Sequence, residues 1–503
     1  MYAAPGTPLR DLLFEHGVEF PCGGRGRCRG CRVRLLRGEA TLNASQREIL
    51  SEEEIRQGWR LACQCIPQTD LEIELRQWDA AILVDNTQFK FQPRQGVGVA
   101  VDLGTTTLVA QLVDLQSGNV RAVKTALNAQ ARYGADVMSR VHHAVLESGQ
   151  LDLQLAIREQ IGGLIHQLLA ASREEQAIGD VVLVGNTVMH HLFCGIDVEP
   201  LSHYPFESPR TGLEQFRSEE LGWKIPGNPA VHFLPCLGGF VGSDILAGIL
   251  ATGVHESESI VGLIDLGTNG EIVIGNRERI LCTSTAAGPA FEGARISMGM
   301  RACTGAISEV RIEKGHLHCH VLGDVAPQGL CGSGLVDAVA AGLEMNMIAG
   351  TGRLANGHEG WTLRPPVILT QNDIRELQLA KAAIAAGIKM LSGETGSTEL
   401  SCVYLAGAFG NYINRASAER IGLLNFPPDR VKPAGNTALL GAKMALFDLD
   451  CRGVGYEDIR ARTRHVALNL EGSFQDTFVE EMAFPAREAA GQAGTGTAGA
   501  SFP

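Results

Sequence analysis

Alternation of hydrophobic and polar positions marks the first 78 residues as a small α+β unit. Residues 32–36 and 71–75 alternate apolar with polar side chains, which predicts two half-buried strands. Residues 9–16 predict a short helix, and residues 44–56 contain a polar helical segment. The unit therefore combines short strands with short helices.

A longer unit begins at Gly96, after a segment that lacks a strong period. The stretch GVGVAVDLGTTTLVAQLVDLQSGNV predicts a strand, a turn and a second strand. The stretch VGLIDLGTNGEIVIGNRERI, from Val261, repeats this pattern. An internal repeat of this kind predicts two related α/β halves.

Helical periods follow each copy of the repeat, and apolar runs predict further strands. The predicted helices are 151–170, 242–251, 333–347 and 373–391, and the predicted strands are 181–184 and 403–405. We therefore expect four parts: residues 1–78, a linker at 79–95, a duplicated α/β domain at 96–485, and a disordered tail at 486–503.

Composition narrows the class of protein. Hydrophobic residues make up 45% of the 503 and charged residues 20%, a soluble globular balance. The net charge of −13 argues against nucleic-acid and anionic-membrane partners. The arginine-rich loop at 25–37 is an exception, and it is either a docking surface or solubilising charge. Thirteen cysteines, with neither a signal peptide nor a long apolar run, indicate a reducing, cytoplasmic setting.

Four cysteines form a ligand pattern near the N-terminus. Cys22, Cys28 and Cys31 have the spacing C-x5-C-x2-C, and Cys63 follows at a distance. A [2Fe–2S] cluster needs four thiolates, and three on one loop with one distant ligand suit it. Zinc sites usually have two close cysteine pairs, so zinc is the less favoured alternative. Cys65 is a rival to Cys63 as the fourth ligand, because both lie in RLACQC.

The cysteine pattern and the short strands together suit a β-grasp ferredoxin domain. The segment RLACQ resembles that of plant- and adrenodoxin-type ferredoxins, in which its cysteine is a ligand; this favours Cys63. Such domains normally open with a full β-hairpin, whereas this chain starts at what would be the second strand. We therefore expect either a misassigned start or a curtailed sheet.

Two similar turns predict a duplicated phosphate-binding site. Asp102 and Asp265 each end a strand and precede a Gly-Thr turn. Such a turn offers N–H and hydroxyl donors to phosphate oxygens, and the aspartates can hold a hydrated Mg²⁺. The expected ligands are Gly104, Thr105 and Thr106 in the first phosphate turn (104–106), and Gly267, Thr268 and Asn269 in the second phosphate turn (267–269). The alternative is two tight hairpins with no ligand.

The duplicated turns resemble those of the actin, Hsp70 and sugar kinase superfamily, whose members close two ribonuclease-H-like halves over ATP. That resemblance implies that LAGAFGNYI, with Gly407 and Gly410, covers adenosine. It also implies that Asp244 positions the attacking water, although Asp244 could equally be a helix N-cap. Glu271 and Asn269 are further catalytic candidates.

Two other motifs leave their roles open. The sequence CGSG at 331–334 opens a helix and could bind phosphate or pack closely. His190 and His191 could face a partner's cofactor, but satisfied core histidines are the favoured interpretation.

The whole motif set resembles the reductive activators of corrinoid proteins, over residues 1 to about 480. The matching segments are PCGGRGRCRGC, RLACQC, VDLGTTT, LVGNTVMHHL, GGFVGSD, IDLGTNGEI, CGSGLVDAV and LAGAFGNYI. The resemblance implies an ATP-dependent electron transfer from the cluster to the Co(II) corrinoid of a methyltransferase partner, which restores Co(I). It also implies a homodimer and a low-potential electron donor. The short linker indicates that the extra middle domain of some members is missing.

Two other functions are compatible with the residues alone. The chain could be a small-molecule kinase with an appended ferredoxin, or a chaperone whose ATPase is gated by the cluster's redox state. Phosphate transfer without a redox partner would identify the first, and client binding without electron delivery the second.

Overall fold

The structure is a computed structural model. It describes residues 9–10, 13, 31–75, 89–172, 177–355, 359–396, 399–410, 412–447 and 455–486. The expected disordered tail and most of the first predicted helix lie outside these residues. None of the helices in the described ranges is long and apolar enough to cross a membrane.

The N-terminal unit is a three-stranded antiparallel sheet with two short helices. Its elements are β1 (Arg32–Arg37), α1 (Ala44–Ile49), α2 (Glu52–Arg56), β2 (Trp59–Leu61) and β3 (Glu72–Leu75). The strand order is β2-β1-β3. The additional strand whose absence the sequence suggested would fall before residue 31, largely outside the described residues.

The single helix predicted at 44–56 is two helices. Ser51 caps α2, because its hydroxyl accepts from the Glu54 N–H while the Glu54 carboxylate accepts from the Ser51 N–H. This reciprocal pair is a capping box, which starts a new helix. Asn43 caps α1 in a simpler way, by accepting from the Gln46 N–H.

The first half of the long unit is a six-stranded mixed sheet with helices packed on its faces. Its elements are β4 (Val97–Leu103), β5 (Thr107–Asp114), β6 (Val120–Leu127), α3 (Val137–Leu146), α4 (Gln150–Ser172), β7 (Ile178–Gly185), α5 (Thr187–Cys194), β8 (Glu214–Arg217), β9 (Ala230–Phe233) and α6 (Ser243–Thr252). The strand order is β6-β5-β4-β7-β9-β8. Strands β4 to β6 form an antiparallel meander, and β7 and β9 join it in parallel.

The second half repeats this plan around an insertion. Its elements are β10 (Val261–Leu266), β11 (Gly270–Gly275), β12 (Ile280–Thr285), β13 (Ala306–Glu313), β14 (His316–Val321), β15 (Gly329–Leu330), α7 (Gly332–Glu344), β16 (Gly360–Arg364), β17 (Val367–Thr370), α8 (Gln371–Thr395), β18 (Val403–Ala406), α9 (Gly407–Gly410), α10 (Arg415–Arg420), β19 (Val431–Gly435), α11 (Thr437–Ala445), α12 (Tyr456–Arg462), β20 (Thr463–His465) and α13 (Phe474–Glu480). Its main sheet has the order β19-β18-β10-β11-β12-β20.

The two main sheets share one topology. In each, an antiparallel meander of three strands is extended in parallel by two strands beside its first strand. This confirms the two related α/β halves that the repeat predicted and the duplicated ribonuclease-H-like fold that the resemblance implied. The small sheet β14-β13-β15 and the hairpin β16-β17 lie between β12 and β18 in the chain, and the sequence analysis did not predict them.

Helices α6 and α11 join the halves at a close crossing. They share one hydrophobic core with strands of both main sheets. A Cβ atom on Gly441 would lie 2.1 Å from the Ala247 carbonyl oxygen, so only glycine permits this approach. The crossing places the first turn of α6 and the start of α11 beside the ends of β4 and β10.

The end of the predicted linker packs against both halves of the long unit. The rings of Phe89 and Phe91 lie 5.5 and 4.4 Å from that of Phe447. Arg94 donates to the Leu446 carbonyl at 2.5 Å and pairs with Asp180 at 3.0 Å. Residues 89–95 are therefore anchored to the α/β unit.

Candidate nucleotide and cluster sites

Four carboxylates converge where the two halves meet, and together we call them the acidic group: Asp102, Asp244, Asp265 and Glu271. Asp102 and Asp265 occupy equivalent positions near the ends of β4 and β10. Glu271, on β11, is the cross-strand partner of Asp265. Asp244 lies in the first turn of α6. The helix N-cap is Gly242, so Asp244 is not the N-cap that the sequence left as an alternative.

The electrostatics of this acidic group follow from burial and mutual repulsion. Each carboxylate keeps some solvent access, yet protein surrounds it. Burial raises the pKa of Asp102 to about 6. Burial, with the charge of Asp102, raises the pKa values of Asp244 and Asp265 to about 7. Burial and the charges of Asp244 and Asp265 raise the pKa of Glu271 well above its usual value.

Oxygen donors without a positive partner suit a magnesium ion. None of the four carboxylates forms an ion pair with a basic side chain of the described residues. Within the same ranges, no three acidic, cysteine or histidine side chains lie close enough to hold a metal directly. Mg²⁺ keeps several of its waters and is bound by one or two carboxylates with substrate phosphates. The arrangement therefore fits a hydrated Mg²⁺ held partly by a nucleotide.

Asn436 links the two halves at Asp102. Its side-chain N–H donates to Asp102 Oδ2 at 2.8 Å, and its oxygen accepts from the Leu439 N–H at 2.8 Å. Asn436 thereby caps α11 while it holds a carboxylate of the other half. The sequence analysis missed this residue; the Asn before an apolar helix was its only local signal.

The first phosphate turn is tied to the helix that follows β7. The Asn186 side chain donates to Thr105 Oγ1 at 2.9 Å and also caps α5 by accepting from the Met189 N–H. A Cβ atom on Gly104 would lie 2.5 Å from the Thr107 carbonyl oxygen, which explains the glycine. The sequence analysis also missed Asn186.

The second phosphate turn has its own internal supports. Thr268 Oγ1 donates to Glu292 at 2.6 Å, and the Thr268 carbonyl accepts from the Gly288 N–H at 3.0 Å. The Gly267 N–H donates to the Asn269 carbonyl at 3.0 Å, which closes the turn.

Gly407 lies against the acidic group, whereas Gly410 packs elsewhere. Gly407 has φ +84°, and a Cβ there would lie 2.6 Å from Asp265 Oδ1. A Cβ on Gly410 would instead meet the Leu405 side chain. The role of both glycines in covering adenosine stays a prediction.

The CGSG segment and the histidine pair are both packed tightly against neighbouring parts of the protein. The CGSG segment packs closely, since a Cβ on Gly332 would lie 1.9 Å from the Phe291 carbonyl oxygen. His190 and His191 are fully buried and contact each other through their Nδ1 atoms. Burial lowers their pKa values to about 3 and about 4, so both are neutral. They are the satisfied core histidines that the sequence analysis favoured.

The structure brings two of the expected cluster ligands together. The Ala62 N–H donates to the Cys31 carbonyl at 3.0 Å, so the start of β1 lies against the turn that carries Cys63. Cys31 and Cys65 are each 1% exposed in the core of the N-terminal unit, and the Cys63 side chain is partly exposed, so burial does not distinguish Cys63 from Cys65 as the fourth ligand. The thiols of Cys31 and Cys63 suit iron–sulfur ligation. Cys22 and Cys28 lie outside the described residues.

Together, the fold and these sites define an iron–sulfur protein joined to an ATPase of the duplicated ribonuclease-H-like class. Comparison with protein families agrees. Residues 2–68 match the 2Fe-2S iron-sulfur cluster binding domain. Residues 97–257 match the RACo middle region, and residues 259–492 match the C-terminal domain of RACo, the ASKHA domain. The expectation of a missing middle domain was therefore wrong: its counterpart lies within the first half.

Individual relatives narrow the class further. The corrinoid activation enzyme RamQ of Eubacterium limosum is 35% identical over 419 residues, which cover 77% of this chain and 70% of that protein. The [Co(II) methylated amine-specific corrinoid protein] reductase of Methanosarcina barkeri is 28% identical over 70% of each chain. A solved reductive activator for corrinoid, iron-sulfur protein is 28% identical, with a TM-score of 0.70 over 97% of both chains.

The chain belongs to the family of ATP-dependent reductive activators of corrinoid proteins. Its ferredoxin domain carries a [2Fe–2S] cluster, and its ASKHA domain uses ATP with Mg²⁺. This confirms the fold class and the resemblance on which the sequence analysis relied.

Proposed function

We propose that this protein uses ATP to return a corrinoid protein of a methyltransferase system from the Co(II) to the Co(I) state. One electron leaves the protein for each cobalt reduced. The electron comes from a low-potential donor, and ATP is hydrolysed to ADP and phosphate. When bound, the [2Fe–2S] cluster supplies that electron; plant-type clusters as a class have potentials of about −400 mV.

The acidic group between the halves is the observation that carries the ATPase part of this proposal. Its carboxylates lie beside both phosphate turns and lack basic partners within the described chain. We propose that Asp102 and Asp265 hold hydrated Mg²⁺ and that Asp244 positions the attacking water. The phosphate ligands would be those named in the two turns, and Gly407 and Gly410 would cover adenosine.

The crossing of α6 and α11 couples nucleotide binding to the relative position of the two halves. Both helices start at the acidic group, so a change in its charge acts on both halves at once. A nucleotide with Mg²⁺ that bridges the two turns favours a closed arrangement of the halves. A ligand shifts such an equilibrium by its differential affinity for the two states. ATP binding would thereby control when the electron is delivered.

The remaining assignments extend the same proposal. We propose a ferredoxin domain at 1–78 with Cys22, Cys28, Cys31 and Cys63 as ligands, and an ATPase domain at 96–485. The relatives named above act on corrinoid proteins, which supports a corrinoid protein as the partner. We also propose a cytoplasmic homodimer that takes electrons from a separate low-potential protein.

A reconstituted reduction assay tests the function. The full chain, a chemical low-potential reductant and the methylated amine-specific Co(II) corrinoid protein are mixed with MgATP, and Co(I) is followed by its visible absorption. We expect Co(I) only when ATP is present, and an Asp265→Asn variant should not support it. A Co(I) yield independent of ATP, or none with any of a panel of methyltransferase corrinoid proteins, would refute the proposal.

Family membership weighs against the two alternative functions. A kinase with an appended ferredoxin would phosphorylate a sugar in the absence of any corrinoid protein. A redox-gated chaperone would bind clients without delivering electrons. Assays of phosphate transfer and of Co(I) formation on the same preparation separate the three.

A further inference from the structure

Every carbonyl of the first phosphate turn is held by one neighbouring segment. The Asn128 side chain donates to the Gly104 carbonyl at 2.9 Å, and the Asn128 N–H donates to the Thr106 carbonyl at 2.8 Å. Between them, Arg140 donates to the Thr105 carbonyl at 2.5 Å. Three consecutive peptide carbonyls are therefore fixed from the side of residues 128–140.

This arrangement determines where the N–H groups of the turn point. A trans peptide is planar, and its C=O and N–H bonds point in opposite directions. Holding the carbonyls of Gly104 and Thr105 therefore turns the N–H groups of Thr105 and Thr106 to the other side. Neither N–H donates to an acceptor in the described part of the protein. Adjacent N–H groups without acceptors are a typical anion-binding feature.

Arg140 brings a buried positive charge to the same place. It is fully buried, and its other hydrogen bonds go to the Gly134 carbonyl, the Gln130 side chain and Met189 Sδ. All of these partners are neutral. No carboxylate of the described ranges forms an ion pair with it. The nearest charge that acts on Arg140 is that of Asp136, which caps the same helix without pairing with the guanidinium. A buried guanidinium whose hydrogen-bond partners are all neutral is further stabilised by an incoming anion.

We propose that Asn128 and Arg140 form a carbonyl clamp that presents the Thr105 and Thr106 N–H groups to the phosphates of the nucleotide. Arg140 supplies the positive charge behind them. Both are positioning residues, because they act through the turn. This inference rests on the proposed ATPase function, and it assigns the phosphate affinity of the first half to residues outside the DLGT motif.

The clamp also makes the two phosphate turns differ in the charge of the groups that support them. The second phosphate turn takes one of its supports from the Glu292 carboxylate, through Thr268. The first turn is supported by an amide and a guanidinium. The two turns thus differ in the charge behind them, and we expect the first turn to contribute more to the affinity for polyphosphate.

Nucleotide titrations of the full chain test the clamp. We compare the dissociation constants of MgATP, MgADP and adenosine for the wild type and for Arg140→Met, Arg140→Lys and Asn128→Ala. In Arg140→Met we expect ATP to bind at least tenfold more weakly while adenosine affinity is unchanged. Arg140→Lys should keep part of the ATP affinity, because it keeps the charge. Asn128→Ala should weaken ATP binding without changing the charge.

Arg158→Met is the matched control. Arg158 lies in the same half, donates to the Phe193 carbonyl at 2.8 Å, and has no contact with either turn in the described chain. The Arg158→Met variant should leave the ratio of ATP affinity to adenosine affinity unchanged. Equal weakening of ATP and adenosine in the Arg140 variants would show a purely structural role and overturn the inference. Wild-type affinity in Arg140→Met and Asn128→Ala would also overturn it.

The same titration separates the inference from the function on which it rests. If the wild type binds no ATP, the ATPase proposal itself fails. If Arg140→Met does not fold, as judged by its thermal transition, Arg140→Lys and Asn128→Ala still decide the question, since both keep most of the buried volume.

Discussion

The acidic group between the halves should destabilise the metal-free protein at neutral pH. Asp265 shows this most directly, because burial and the charge of Asp102 raise its pKa from 3.8 to about 7. Well below pH 3.8 the carboxyl is neutral in both the folded and the unfolded chain. Between pH 4 and 7 the unfolded chain releases the proton while the folded chain keeps it. The free energy of unfolding therefore falls as pH rises through this window and is constant above it.

The Asp265→Asn variant removes this penalty while nearly keeping the side-chain volume. A rise in pKa from 3.8 to about 7 corresponds to at most about 4 kcal/mol. Loss of one charge also lowers the pKa values of Asp244 and Glu271, which adds to the gain. Partial solvent access of the site reduces the stabilisation that the variant gains. We expect the variant to be more stable than the wild type by about 1–4 kcal/mol at pH 8, and by much less at pH 4.

Thermal unfolding of the full chain in EDTA at pH 4, 6 and 8 measures this effect. Asp476→Asn, at an exposed position of α13, is the control and should not shift the transition at any pH. MgATP should then stabilise the wild type but not Asp265→Asn, which should also lose ATP hydrolysis. A difference between the variant and the wild type that is zero or negative at pH 8, or that does not change with pH, would refute the electrostatic reasoning.

Three further substitutions probe other parts of the site. Asn436→Ala removes the hydrogen bond from the Asn436 amide to Asp102. Steady-state ATP hydrolysis should slow about tenfold, the equivalent of about 1–1.5 kcal/mol. An unchanged rate would contradict the positioning role of Asn436. Cys63→Ala should lose the [2Fe–2S] visible and EPR spectra while Cys65→Ala keeps them, and the opposite result would exchange the two assignments. Gly407→Ala places a Cβ 2.6 Å from Asp265 Oδ1 at φ +84°, so ATP affinity should fall about tenfold in a direct titration, and wild-type affinity would show that the backbone can move aside.

Features encoded in short stretches of sequence were predicted well. The strands of the repeat, such as Val97–Leu103 and Val261–Leu266, are apolar runs that end in Asp-Leu, and a glycine follows each of them. The long helices Gln150–Ser172 and Gln371–Thr395 contain no proline, and apolar residues at helical spacing, such as Leu153, Ile157 and Ile161, are buried. Each of these signals lies within about twenty residues, so local patterns were sufficient.

Features that depend on distant contacts were not predicted. Asn436 and Asp102 are 334 residues apart, and no local pattern links them. Arg140 was overlooked because arginine is usually exposed, and only the tertiary structure supplies its carbonyl partners. The CGSG glycines had two possible uses in sequence, phosphate binding and close packing. The close packing of Gly332 against the Phe291 carbonyl is visible only in the folded chain.

The anchoring of Phe89, Phe91 and Arg94 sets a limit on distances within the molecule. Only residues 76–88 separate this anchor from the end of β3, so the ferredoxin domain cannot lie further than roughly 50 Å from it in any conformation. Tethers of this length keep two linked modules at an effective concentration on the order of millimolar. Each ATPase domain is therefore held near the ferredoxin domain of its own chain at any concentration of the protein. Dilution should slow the encounter with the corrinoid partner but not the coupling between nucleotide and cluster.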